Sequence, residues 1–190
     1  FMDYKGLGQV FENGAAFTGT TLTLTGDGEP ERLTGMAVTS DLLPVLGVTP
    51  FFGRNFEGPE GRAGVEPVVI VSHEFWQTRF GGERSLLGRV LSMNGINRRV
   101  VGILPPGADF YRAQAFIPHY INPDSLAGRA TNYLRAVARL QPGVSVDQAR
   151  REPVALTRRT REEHKNTYPE AMGYSATAVS MHEVMVGDIK

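Results

Sequence analysis

The chain has 190 residues, and its twenty acidic side chains balance twenty lysines and arginines, so no net field steers it onto nucleic acid. Cysteine is absent, which removes disulfides and thiolate chemistry. A chain of this length buries enough surface for one sizeable core or two small ones without a metal or disulfide staple, and no apolar run approaches the ~20 residues that span a bilayer.

In chain order, Phe1, Tyr4, Leu7, Val10 and Phe11 have helical spacing, weakened by Gly6 and Gly8, each worth about 1 kcal/mol against helix. Residues Ala16 to Thr25 and Arg32 to Thr39 flank the turn-rich Gly26-Asp27-Gly28-Glu29-Pro30. Leu22 and Leu24 alternate with threonines there, so the two runs read as paired strands. Ser40-Asp41 starts a short helix through Leu46, ended by Gly47, with Pro44 close enough to its start to be tolerated. The polar stretch Gly53 to Gly64 carries four glycines and a proline and reads as a loop.

Pro67 opens Val68 to Val71, a short β-branched run expected to be a buried strand. Ser72 caps a helix with Glu74 in its first turn and aromatics at Phe75, Trp76 and Phe80, ending at Gly81-Gly82. Trp76 belongs in the core. A short helical stretch around Ser85 to Leu87 leads to strands Arg89 to Met93 and Ile96 to Leu104. Between them Asn94-Gly95 is the pair that best tolerates a type I′ turn, so this is a hairpin. Pro105-Pro106-Gly107 stops the second strand.

Tyr133 to Leu140 alternates, with Leu134, Ala136, Ala138 and Leu140 on one face and Arg135, Val137 and Arg139 on the other, as in a half-buried strand. After Pro142-Gly143, Ser145-Val146-Asp147-Gln148 is a capping box, with Val144 and Ala149 placed as a hydrophobic staple. Its helix runs toward Lys165, and Pro153 in its interior, costing about 3 kcal/mol, predicts a kink or a break. Ala176 to Met181 is expected to be a last strand.

These pieces, in this order, resemble the extracytoplasmic core domain of MacB-type ABC transporter permeases, especially the variant abundant in acidobacteria. The likeness rests on Ser72-His73 with Trp76 and Arg79-Phe80-Gly81-Gly82, then Gly88-Arg89 with Leu91 and Asn94-Gly95, then Val100-Val101-Gly102-Ile103 with Pro105-Pro106-Gly107. Gly28-Glu29-Pro30-Glu31-Arg32, Val45-Leu46-Gly47-Val48, Gly53-Arg54-Asn55-Phe56, Ala138-Arg139-Leu140 and Val186-Gly187-Asp188 extend it over nearly the whole chain.

The resemblance implies an α+β fold of two mixed subdomains. A discontinuous porter-like part, residues 1–50 plus 131–190, is interrupted by a smaller α+β part, residues 51–130, with joints near Thr49-Pro50 and Gly128 to Thr131. It also implies a place on the periplasmic side of the bacterial inner membrane. Flanking transmembrane helices would lie before Phe1 and after Lys190, and a chain opening on Phe1 reads as part of a longer protein. The implied partners are those helices, an ATP-binding subunit or domain, a second permease copy and a periplasmic adaptor protein. The implied role is a lever carrying ATP-driven motion outward, for export or extraction of substrate. The alternative is a ligand- or lipoprotein-binding module with cargo in the cleft between subdomains.

Enzyme chemistry finds little support in the residues. Ser72 and His73 are neighbours at a helix start and point different ways, so cap and surface histidine outweigh a nucleophile pair. Glu162-Glu163-His164 lacks a second ligand at helical spacing, since Thr160 and Tyr168 do not serve. His182-Glu183 lacks the second histidine of a zinc-protease motif, position 186 being valine, and Gly6-Leu7-Gly8 lacks the third glycine of a dinucleotide fingerprint. No phosphate-binding G-x-x-x-x-G-K-[ST] is present. No catalytic, cofactor-binding or metal residue is therefore expected, and a free-standing hydrolase is the weakest reading. Two groups are candidate partner contacts: Phe110, Tyr111 and Arg112, and Phe51 with Phe52, being of the types enriched at interface hot spots. The competing expectation for Phe51 and Phe52 is packing between the subdomains.

Overall fold

The computed structural model describes residues 8–26, 28–108, 110–122, 134–163 and 176–186. Its strands are β1 (Phe11–Thr25), β2 (Glu31–Val38), β3 (Phe52–Gly53), β4 (Val68–Val71), β5 (Val90–Met93), β6 (Ile96–Ile103), β7 (Ala115–Pro118) and β8 (Arg135–Leu140). The α-helices are α1 (Leu42–Leu46), α2 (His73–Phe80), α3 (Val146–Glu163) and α4 (Met181–Val186). By internal contacts the chain divides into two compact units: Phe1–Gly14, Pro123–Tyr133 and Ala138–Lys190 form one, and Ala15–Asn122 with Leu134–Val137 the other.

The larger unit is built on a mixed sheet whose pairings close into a circuit. β1 pairs antiparallel with β2, β2 parallel with β7, β7 antiparallel with β4, β4 parallel with β6, β6 antiparallel with β5, and β5 antiparallel with β1. β3 pairs with β6, and β8 follows β1 in the eight-stranded order. One apolar cluster receives a side chain from every strand of the circuit: Leu22 and Leu24, Leu33, Ala115, Val69 and Val71, Val100 and Ile103, Leu91 and Met93. Phe75 and Trp76 of α2 join it, Trp76 donating its indole N–H to the Glu83 carbonyl at 2.8 Å.

The intervening residues Phe17, Met36, Val38, Phe116, Val68, Ile70 and Val101 form a second cluster with Leu42, Leu43 and Val45 of α1. β4 is thus buried on both faces, which explains its unbroken Val-Val-Ile-Val run. Each fully buried aliphatic side chain contributes about 1.5–3 kcal/mol.

The seam between β1 and β5 is short, Leu24 opposite Met93 and Thr25 opposite Ser92. Asn94 extends it. Held at φ 54° beside Gly95 at φ 73°, Asn94 makes the expected left-handed turn. Its side chain accepts from the Thr23 N–H at 2.8 Å and donates to the Thr21 carbonyl at 3.0 Å, while its own N–H donates to the Thr23 carbonyl. The amide therefore acts as a further strand rung.

β3 approaches β6 through a glycine pair, Gly53 opposite Gly102. A Cβ on Gly53, at φ +80°, would overlap the Val101 carbonyl, and one on Gly102 would lie 2.6 Å from the Arg54 carbonyl. Only glycine fits both places.

Several expectations hold: Ser72 accepts the Phe75 N–H, Gly47 and Gly81 end α1 and α2 in left-handed conformation, and Ser145 and Gln148 exchange the capping-box bonds at 3.2 and 2.8 Å. Others need correction. Residues 8–10 form a turn and Phe11 already starts β1, so no helix reaches Phe11; residues 1–7 lie outside the described residues. Here the glycines outweigh the apolar spacing, and Gln141 holds the turn by donating to the Val10 and Gly8 carbonyls.

In β8 it is Val137 that packs on the second cluster, while Ala136 and Ala138 are exposed, because two alanines bury less area than one valine. α3 does not break at Pro153. Pro153 lies on the buried face with Ala149, Leu156, Thr157 and Thr160, and the Thr157 hydroxyl donates to its carbonyl at 2.6 Å.

Residues 176–180 form no strand, and Met181 opens α4. The Ser180 N–H reaches the Glu183 carboxylate, and Arg150 of α3 holds that carboxylate at 3.0 Å and the Ala178 carbonyl at 3.3 Å. Side chains, not a ladder, fix this segment. The sheet also runs through the boundary expected near residue 50: β1 and β2 pair with β5 and β7 in one unit, so hydrogen bonds tie both sides of Thr49-Pro50 together.

Replacing Asn94 by glycine keeps the turn and removes the side-chain rungs, so stability should fall by about 1 to 2 kcal/mol in urea unfolding. Alanine should cost about 1 kcal/mol more, through the positive φ. A neutral Asn94→Gly would show that the rungs do not tie β1. Gly53→Ala and Gly102→Ala should each cost more than about 3 kcal/mol, whereas Gly19→Ala, with open space around its Cβ, should fold normally by the same assay.

Candidate functional site

Two exposed aromatic groups stand out in the larger unit. Phe51 donates its N–H to the Ile103 carbonyl at 2.8 Å, which pins the backbone at the entry to β3. Its ring lies 4.3 Å from Phe52, 6.0 Å from His73 and 6.4 Å from Trp76. Phe52 is half-buried against Trp76 at 5.7 Å, with the Arg84 guanidinium over it at 4.2 Å. Phe51 itself is 51% exposed. The side chain of Leu87, also exposed, lies against Gly53. Phe51 and Phe52 thus pack on α2 within their own unit.

Phe110, Tyr111 and Arg112 form a short kinked turn that leaves helical geometry at Tyr111, φ 53° and ψ 30°. Phe110 is half-buried and meets Phe17 edge-on at 5.0 Å. Tyr111 is 51% exposed, 4.8 Å from Phe110 and 5.7 Å from Phe17, with Arg135 at 5.8 Å from its ring. Tyr111 and Arg112 both have φ 53°, a conformation costly for side chains of this size. Below the turn, Gln114 fixes the chain by accepting from Thr34 N–H and donating its own N–H to the Thr34 carbonyl. The sequence proposed both groups from residue type. It missed His73 as a neighbour of Phe51, Arg84 as one of Phe52 and Leu87 as one of Gly53, because they arrive from a different segment and carry no local signal.

The loop Gly53 to Gly64 is organised by Glu60, only 8% exposed. Its carboxylate takes both terminal nitrogens of Arg54, at 2.6 and 3.2 Å, and the Glu57 N–H at 2.8 Å. This paired carboxylate pushes the Arg54 guanidinium pKa above its ordinary value. Gly61, at φ +89°, sits where a Cβ would press on the Pro118 carbonyl, and Arg62 covers the Tyr120 ring at 4.3 Å.

The residues weighed for catalysis do not come together. The Ser72 hydroxyl is buried and occupied as the α2 cap, and His73 faces the aromatic rings. His182 sits on α4, while Glu162 and Glu163 sit at the end of α3; His164, Gly6 and Leu7 lie outside the described residues. Among the described residues no three His, Cys, Asp or Glu side chains are placed to share a metal ion, and no helix is long and apolar enough to cross a membrane.

Comparison with known proteins agrees with this architecture. Residues 7–155 match the model of the MacB-like periplasmic core domain. The chain belongs to that family. The periplasmic region of MacB from Actinobacillus actinomycetemcomitans superposes with a TM-score of 0.66 at 13% identity, over 99% of this chain and 81% of that one. The extracellular domain of the noncanonic ABC-type transporter YknZ from Gram-positive bacteria gives 0.61 at 22% identity, over 86% and 82%. A domain of a putative permease protein from Porphyromonas gingivalis gives 0.54 at 17%, over 83% and 68%. These likenesses establish the mixed α and β fold of the MacB-like domain. No curated protein sequence matches.

One titratable group follows directly from the packing of this MacB-like domain. His119, just after β7, donates its N–H to the Val38 carbonyl at 2.7 Å, and burial of its ring holds the imidazole pKa below the usual range. The unfolded chain therefore binds a proton near pH 6.5 that the folded chain takes up only at lower pH. Stability should be level above about pH 6.5 and fall as pH drops below it. His119→Asn should flatten that slope in denaturant titrations between pH 7 and 5.5; an unchanged slope would assign it to other groups.

Proposed function

We propose that this chain is the extracytoplasmic domain of a MacB-like ABC transporter permease and acts there as a non-catalytic mechanical element. Flanking transmembrane helices would hold it on the periplasmic side of the inner membrane. Motion generated by a cytoplasmic ATP-binding subunit would pass through those helices into the domain and displace it against a second permease copy or a periplasmic adaptor, driving export or extraction of substrate.

The observation that carries this reading is the closed circuit of strands in the larger unit, filled from every strand and tied at the two-pair seam between β1 and β5 by Asn94. A body that transmits displacement must not absorb it. A sheet closed on itself with a packed interior has no free edge along which to shear, and close-packed interiors have low compressibility. The match to the family model supplies the transporter context. Of the expected joints, the one near Gly128 to Thr131 lies outside the described residues, and strands from both sides of Thr49-Pro50 pair in one sheet.

The test uses the parent transporter. A flexible Gly-Ser insert of about ten residues between the domain and its flanking helices lengthens the connection without altering the domain. Transport should fall at least tenfold while ATP hydrolysis continues. Unchanged transport would overturn the mechanical role and favour a module that only holds cargo.

A further inference from the structure

We infer that the face made by Phe51, Phe52, His73, Arg84 and Leu87 is a docking surface for a protein segment that presents a large apolar side chain next to a carboxylate. The inference goes beyond the permease reading and does not depend on it.

The apolar half of the surface is rigid and presented. Phe51 is 51% and Leu87 39% exposed, yet neither sits on a yielding backbone. Phe51 is bonded to Ile103, and its neighbour Gly53 is wedged against the Val101 carbonyl with Leu87 over it. Phe52, His73 and Trp76 brace the Phe51 ring from below. A pre-positioned aromatic anchor costs little entropy on binding, which is the property of interface hot spots.

The polar half selects the partner. Arg54 is engaged by Glu60, Arg79 by Glu31 at 3.1 Å and Arg99 by Glu66 at 2.7 Å. Arg84 differs: among the described residues its guanidinium has only the Phe52 ring, and the adjacent Glu83 carboxylate instead receives the Ser85 hydroxyl at 3.1 Å. One exposed cation beside exposed rings is the complement of a carboxylate beside an apolar group, and arginine takes a carboxylate in a two-pronged bond.

Two other occupants fit less well. Anionic membranes are held by clusters of several basic side chains, whereas among the described residues Arg84 is the only arginine or lysine seen over the Phe51, Phe52 or Trp76 rings. A second copy meeting this face across a two-fold axis would bring a second Arg84 into the patch and no carboxylate from the five residues that form it.

The experiment pans a random peptide display library on the 190-residue chain, with binding of the selected synthetic peptides measured against the wild type, Phe51→Ser and Arg84→Glu. Selected peptides are expected to place Asp or Glu within about four residues of Leu, Phe or Trp. Each variant should weaken them at least tenfold, and Arg84→Glu should regain binding when the peptide's acid is changed to Lys. Arg84→Glu alters an exposed side chain and keeps the test readable should Phe51→Ser lose stability. Peptides without acidic enrichment, or binding indifferent to both variants, would overturn the inference. So would Phe51-dependent binding to phosphatidylglycerol vesicles without peptide binding, which would make the face a membrane contact.

Discussion

The larger unit depends on how β1 is held at both of its edges. On one side it makes a long antiparallel pair with β2, from Phe17 opposite Val38 to Leu24 opposite Glu31. On the other it meets β5 over two residue pairs only, and the Asn94 side chain supplies the rungs that strand pairing does not. Without that seam Leu22 and Leu24 would cap an open sheet; with it they share one filled interior with Leu91, Met93 and Val100. Turn and clamp are one residue, so the geometry that folds the hairpin also closes the circuit.

Closure in turn sets where the surface can carry contacts. With β4 buried on both faces and the clusters occupied by α1 and α2, large apolar groups reach solvent at the rims. Phe51 is held at one by its bond to Ile103, and Tyr111 stands on the turn above Phe17. The glycine pair Gly53 and Gly102 lets β3 lie close enough on β6 to fix Phe51 in place. The chain belongs to the MacB-like family, and among the described residues no three His, Cys, Asp or Glu side chains are placed to share a metal ion.

Local signals in the sequence carried far. The Val68 to Val71 strand, the Ser72 cap, the Asn94-Gly95 turn and the Ser145-Gln148 capping box each depend on residues within a few positions, and each is where its chemistry requires. Long-range pairings were not legible. Nothing near Gly35 announces Ala115 as its parallel neighbour, and nothing near Thr23 announces Asn94. Alternation misjudged β8 because Val137 outweighs two alanines, and periodicity misjudged residues 8–11 because Gly8 disfavours helix and Gln141 holds residues 8–10 as a turn. The candidate site was half legible: aromatic type pointed to Phe51 and Tyr111, while Arg84 meets Phe52 and Leu87 meets Gly53 only through the fold.

The most direct test of the closed, rigid body is native-state hydrogen exchange across the circuit. If the seam is integral, the amides of Thr23 and Asn94 exchange through the same global opening as those of Ile70 and Val100 in the central strands, with equal free energies and equal denaturant dependence. If Thr23 and Asn94 exchange through a separate opening of lower free energy, β1 peels from β5 while the rest stays folded, and the account of a closed unit that transmits motion fails.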